Sequence, residues 1–206
     1  YKSGTMTAKG QFNKNGKKEG TWTYYYPNGQ IKTIENIKDG ELVGEELKFY
    51  KSGILKSKAR YNNEHKSEYE ISYSRNGEHD EEYELLKDKS IRNTTFHPNG
   101  KKKFSVILVK DVYQDGNYEG YYEDGKVSRT LSIKDGKLDG VYTDFYEDGK
   151  LNGEYAYSKG KLDGEYKSFY KNGKPFLVSH YKDGVLEGLF EKWNEDNRRI
   201  VECYKQ

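Results

Sequence analysis

A glycine closing an Asn-Gly or Asp-Gly-like dipeptide recurs along this chain at Gly29, Gly53, Gly77, Gly100, Gly125, Gly149 and Gly173, and Asn197 holds the next slot. The steps are 24, 24, 23, 25, 24, 24 and 24 residues. Four residues before each landmark stand Tyr25, Phe49, Tyr73, Phe96, Tyr121, Phe145, Phe169 and Trp193, all aromatic. Eight residues after it stand Ile37, Tyr61, Leu85, Leu108, Ile133, Tyr157 and Tyr181, all apolar or aromatic. Only 33% of the chain is hydrophobic, so chance does not produce such columns. A fixed period means stacked copies of one small unit, each burying its neighbour's open side. A single unbroken array is expected over all 206 residues.

Composition narrows what the array is for. Lys and Arg number 36 and Asp and Glu 34, interleaved, so the net charge is +2. That is a solvated surface, without the basic stripe a nucleic-acid binder needs. The polar balance would suit a disordered chain, but 21 tyrosines, 8 phenylalanines and 2 tryptophans oppose that reading. Rings that bury roughly 150–250 Å² each can build a thin core where aliphatic residues are few. No apolar run approaches the roughly 20 residues of a transmembrane span. Cys203 is the one cysteine and is expected to be an inert thiol. Because the chain begins at Tyr1 and not at Met, a truncated or a mature form is expected, from which any signal peptide or lipid-attachment cysteine is already removed, so the lack of a targeting segment carries no information.

Each unit reads as two strands. Short runs of Trp, Tyr, Phe, Thr and Ile are bounded by Asn-Gly or Asp-Gly, and capping boxes and helix-period stripes are missing. A second turn, Lys-Asp-Gly or Ser-Lys-Gly, leads into the next unit, giving an antiparallel meander. A three-residue loop at the landmark, a type I turn closed by a left-handed glycine, puts Tyr25, Ile31 and Ile37 on one face. That face is expected to be the core, with Phe145, Leu151 and Phe169 buried in later copies. The other face then carries Trp22, Tyr24, Tyr26, Tyr142, Tyr146, Tyr166 and Tyr170. These seven are the candidate partner-binding residues, because Tyr and Trp dominate interface hot spots.

The array divides by regularity. Residues 1–19 are a partial lead-in, 20–61 regular units, 62–115 degraded units, 116–188 regular units and 189–206 a C-terminal cap. In the degraded stretch the landmark glycines survive, but Glu64 and Asp88 replace second-turn glycines. The whole is expected to form an elongated, twisted, all-β antiparallel sheet of about 16 strands with no helix.

The unit Gly-x-Tyr-x-x-Phe-Tyr-x-Asn-Gly-x-Leu…Tyr-x-Asp-Gly-x-Leu-x-Gly, as in residues 164–188, resembles the MORN (membrane occupation and recognition nexus) repeat variant of bacterial proteins. The resemblance covers nearly the whole chain. It implies β-hairpins side by side in a twisted sheet, in a non-catalytic module. Bacterial chains of this type include YwqK-family antitoxins and exported or surface-anchored proteins; related repeats accompany lipid kinases and membrane-junction proteins. A cytoplasmic antitoxin-like protein, or an exported one, is therefore implied.

Catalytic and metal chemistry leave no pattern. His65, His79, His97 and His180 fall in different repeat slots, with no ligand or nucleophile–base spacing. The Asp-Gly and Asn-Gly dipeptides complete neither a calcium loop nor a phosphate loop, and turn chemistry accounts for them. No cofactor and no metal are expected. The favoured function is a non-catalytic scaffold binding a protein partner. The alternative is a phospholipid surface met by Lys38, Lys134 and Lys182, which Asp39, Asp135 and Asp183 counterbalance. A glycan-active enzyme using the tyrosines as platforms lacks a paired-carboxylate signal.

Overall fold

The structure, a computed structural model, describes residues 6–196 and 198–203; Asn197 and the side chain of Cys203 lie outside the described residues. Among the described residues there are twenty strands and no helix. They form two compact units, Tyr1–Gly100 and Lys101–Gln206. In the first, each strand from Ala8–Phe12 to Ile91–Phe96 pairs antiparallel with the next. The second runs antiparallel in chain order from Lys102–Val109 to Arg199–Cys203, except that each two-residue strand pairs only with the strand before it, which also pairs with the strand after. The all-β antiparallel meander of tandem hairpins is thus what the sequence leads one to expect. More than about 16 strands are present. The excess comes partly from the two-residue pieces Val112–Tyr113, Lys137–Leu138 and Val185–Leu186, which open a unit before its chain bends into the next strand.

The landmark loop has the expected form. In the sixth copy the Tyr146 amide donates to the Lys150 carbonyl and the Gly149 amide to the Tyr146 carbonyl, both at 2.8 Å. Gly149 sits at φ 84°, a region where a Cβ is strained. Asp148 Oδ1 accepts from the Lys150 amide, so the Asp or Asn before the glycine is a turn-closing group.

The face assignment derived from that loop is corrected. Phe145 pairs with Leu151, but Asp144 pairs with Gly153, so Asn152 is an extra residue in its strand. The same slip skips Lys32, Lys56, Asp80, Ser128 and Phe176 in other copies. A one-residue bulge moves every following side chain to the other face. Tyr25 and Ile31 therefore stay opposite each other on one face, while Ile37 joins Trp22 and Tyr24 on the other. Burial agrees: Trp22 and Ile37 are each 6% exposed, whereas Ile31 is 38% exposed. Phe145, Leu151 and Phe169, expected in the core, are half-buried. Trp22, Thr33, Ile37, Glu46, Ser57 and Ala59 of the first unit and Ser179 of the second are tightly covered on this other face, while Thr94, in register with Glu82, is covered on the face of Tyr25 and Ile31.

Copies are also tied along their two edges. At the landmark edge the Tyr26 hydroxyl donates to the Phe49 carbonyl and the Tyr50 hydroxyl to that of Tyr73. In the second unit Tyr122, Tyr146 and Tyr170 do the same to Phe145, Phe169 and Trp193. At the opposite edge, Glu19, Asp115, Asp139 and Asp163 each accept the amide of the turn residue 20 positions on. These bonds make the 24-residue spacing a structural requirement and not only a sequence rhyme. In the degraded copies the missing second-turn glycines change the turn. The loops after Asn62 and Leu86 become three-residue loops, with His65 and Lys89 left-handed at φ 61° and 67°.

Candidate partner-binding face

The face carrying Trp22 in the first unit and Tyr142 in the second is called the tyrosine face. In the second unit its centre is a row of rings crossing the strands. Tyr142 lies 5.9 Å from Tyr155, Tyr155 lies 4.4 Å from Tyr166, and Tyr166 lies 5.9 Å from Tyr181. Tyr157 adds an edge contact to Tyr142 at 6.3 Å. The row follows from register, since Tyr142 opposes Tyr155 and Tyr155 opposes Tyr166. All three pairs of the row are tilted, which avoids the face-to-face sandwich that aromatic rings disfavour. All five rings are half-buried, leaving part of each at the surface. Gly153 makes room: a Cβ there would collide with the Tyr155 hydroxyl.

The row alters its own electrostatics. Burial, with Tyr166 adding to it, pushes the Tyr155 hydroxyl well above the ordinary tyrosine range. Burial raises Tyr142 and Tyr157 as well. Their hydroxyls are therefore held in the neutral, hydrogen-bond-donating form to higher pH than a free tyrosine. Burial also raises the Asp144 carboxyl, against the pull of Tyr142 and Arg129.

The seven candidates separate into three groups. Tyr142 and Tyr166 come together through Tyr155. Tyr26, Tyr146 and Tyr170 are the hydroxyl ties of the landmark edge. Trp22 and Tyr24 begin the first unit, where Trp22 meets Phe12 edge-on at 5.0 Å and Tyr24 at 6.2 Å. Trp22 Nε1 donates to the Gln11 carbonyl, and the Lys18 ammonium stands 4.7 Å from its ring. Trp22, a partner-binding candidate from the sequence, is a packed side chain at 6% exposure. Sequence reasoning missed Tyr155, Tyr157 and Tyr181, because the bulge puts the column eight residues after the landmark on this face. Tyr155 and Tyr157, two apart in one strand, share a face whatever the loop, and that alternation was the available signal.

Elsewhere the first unit's tyrosine face is polar. A groove there is lined by Ser67, Glu70, Ser72, Glu81, Tyr83 and Asn93. Among the described residues, no group of three or more His, Cys, Asp or Glu side chains is placed to hold a metal, and no helix is long and apolar enough to cross a membrane.

Side-by-side hairpins, tied copy to copy at both edges, define an antiparallel β-hairpin repeat protein. The chain matches the MORN repeat variant family at residues 18–39, 42–63, 114–135, 138–159 and 162–183, just over half of its length, and belongs to that family. MORN repeats are a non-catalytic repeat module, and the unmatched stretch between the second and third segments is the degraded middle. No curated protein matches the chain.

Proposed function

We propose that this chain is a non-catalytic scaffold that binds a protein partner through the tyrosine face of residues 101–206. The observation that carries this reading is the row Tyr142–Tyr155–Tyr166–Tyr181, half-buried, continuous across strands, and bordered by charged and hydroxyl side chains. Rings fixed in place by neighbours give up little entropy on binding, and a polar rim around them is how interface cores are built. In a cell the scaffold serves as a bacterial, YwqK-type antitoxin-like protein or as an exported, surface-associated one. A toxin gene beside its own gene selects the first setting.

The phospholipid reading gains less support. Lys182, one of the lysines it relies on, is hydrogen-bonded to Asp163 at 3.1 Å, so that edge presents paired charges to an anionic surface. An ammonium already paired contributes little of the roughly 1 kcal/mol per basic residue that such surfaces supply.

The test compares two double variants as bait for partner capture. Tyr142→Ser with Tyr166→Ser should abolish capture. Phe145→Ser with Phe169→Ser, on the opposite face, should lower the melting temperature by a comparable few degrees and keep the partner. Loss of capture by both pairs, or by neither, contradicts the assignment to this face.

A further inference from the structure

Beside the tyrosine row, the second unit holds an apolar groove of about 270 Å³. Phe104, Val106, Leu131, Ile133 and Leu138 line it, from adjacent strands, with Tyr142 at the side of the row. Its origin is legible in the register. Gly116 stands opposite Ile133, and Gly120 opposite both Arg129 and Phe104. Two missing side chains leave space between the aliphatic ones. The rim continues into Tyr113, which is 47% exposed. In the first unit the slots matching Phe104 hold Thr33, Ser57 and Glu81, and those matching Val106 and Leu131 hold Glu35, Ala59 and Tyr83; the slot of Ile133 is apolar there too, so Phe104, Val106 and Leu131 are what widens the apolar surface at this place.

One cation is set into that surface. The Arg129 guanidinium lies 5.1 Å from the Phe104 ring centre. Its Nε is buried without a hydrogen-bond partner. A Cβ at position 120 would lie 2.8 Å from that nitrogen, so glycine is what lets the side chain lie flat there. The charge nearest in register is Asp144, whose carboxyl burial pushes upward against the pull of Tyr142 and Arg129. A donor of fixed position in an apolar setting favours a carboxylate, because the hydrogen bond is charge-assisted and partly shielded from water.

We propose that the groove binds an acidic, apolar segment of a protein partner, seating a bulky apolar side chain against Leu131 and Ile133 while a carboxylate one or two residues away engages Arg129. The assignment rests on the protein-binding reading above and specifies the chemistry of the partner. A groove of this size takes one large side chain, and the single guanidinium demands a single acid beside it. Asp144 competes with the incoming carboxylate for Arg129, which sets an opposite expectation for its removal.

The test uses the full chain and a fluorescein-labelled peptide, Gly-Ser-Gly-Leu-Phe-Asp-Gly-Ser, followed by anisotropy. The wild-type chain should bind it saturably. Arg129→Met, which keeps the packing on Phe104, should weaken binding roughly 10- to 100-fold, the value of a charged hydrogen bond. Asp144→Asn should tighten binding several-fold. The same peptide with Asn in place of Asp should bind wild type as weakly as the acidic peptide binds Arg129→Met. Absence of saturable binding, indifference to Arg129→Met, or weaker binding by Asp144→Asn overturns the proposal. So does 4-phenylbutyrate binding as tightly as the peptide, which would make this a small-acid site. If the captured partner is lost by the Tyr142 and Tyr166 pair but kept by Arg129→Met, the protein-binding reading stands and this site falls.

Discussion

Trp22→Ala should lower the unfolding free energy of the first unit by about 3–5 kcal/mol, the range for a large buried aromatic. The indole is 6% exposed, packs on Phe12, lies under the Lys18 ammonium and donates to the Gln11 carbonyl. It also fills the space above Gly10, where a Cβ would collide with its ring. Alanine removes all of this at once and leaves a void that a sheet cannot close by collapsing. Phe169→Ala is the control. Phe169 is half-buried on the opposite face, and its loss should cost about 1 kcal/mol. Each loss should spread only to adjacent copies, because hairpin arrays are held by nearest-neighbour contacts. Chemical denaturation of the two variants checks the pair of values. Equal costs would mean that the bulge does not set the faces.

Lys48→Met should cost about 1–3 kcal/mol near neutral pH. Glu46 is 4% exposed, and Lys48 Nζ stands 2.9 Å from its carboxylate while the Tyr61 hydroxyl donates to it at 3.2 Å. Removing the ammonium leaves a covered carboxylate with one neutral donor, opposite Glu35 in the register. The cost falls short of the roughly 3–5 kcal/mol of a fully buried pair because Lys48 is itself 41% exposed. In the wild type, burial acts against the Lys48 ammonium but the hydrogen bond and charge of Glu46 outweigh it, so its pKa is raised. That contribution is complete below the unfolded lysine value of about 10.4 and disappears as pH rises through the folded one. Adding Glu46→Gln to Lys48→Met should restore most of the loss. Failure of that rescue would contradict a buried charge at Glu46.

Much of this architecture is legible in the residues alone. The landmark glycines carry the period, the aromatic run before them marks strands, and Asn-Gly or Asp-Gly marks the three-residue loop. What the spacing does not carry is the slip just beyond the loop. Lys32, Lys56, Asp80, Ser128, Asn152 and Phe176 occupy the extra position, and they share no residue type that would mark it. Parity counted from the loop alone therefore puts Ile37 and Tyr157 on the wrong side and hides Tyr155 from the candidate row. The edge ties are closer to legible. Tyr26, Tyr50, Tyr122, Tyr146 and Tyr170 stand one residue after the aromatic column, and a hydroxyl repeated at one slot of a periodic chain has the next copy within reach. The groove is the least legible part, because it depends on Gly116 and Gly120 standing opposite Ile133 and Arg129 across a pairing that only the register defines.

Both proposals depend on the bulge having set the tyrosine face, and thiol accessibility reads that directly. In a Cys203→Ser background, single cysteines are placed at Ile31 and at Ile37, and their rates of reaction with a small alkylating reagent are compared with the rate in denaturant. Ile31 is 38% exposed and Ile37 is 6% exposed. Cysteine at position 31 should react at a rate near that of the unfolded chain, and cysteine at position 37 should be strongly protected. Equal protection at both positions, or the reverse order, would show that Tyr25, Ile31 and Ile37 share a buried face and that the bulge does not redirect the strand.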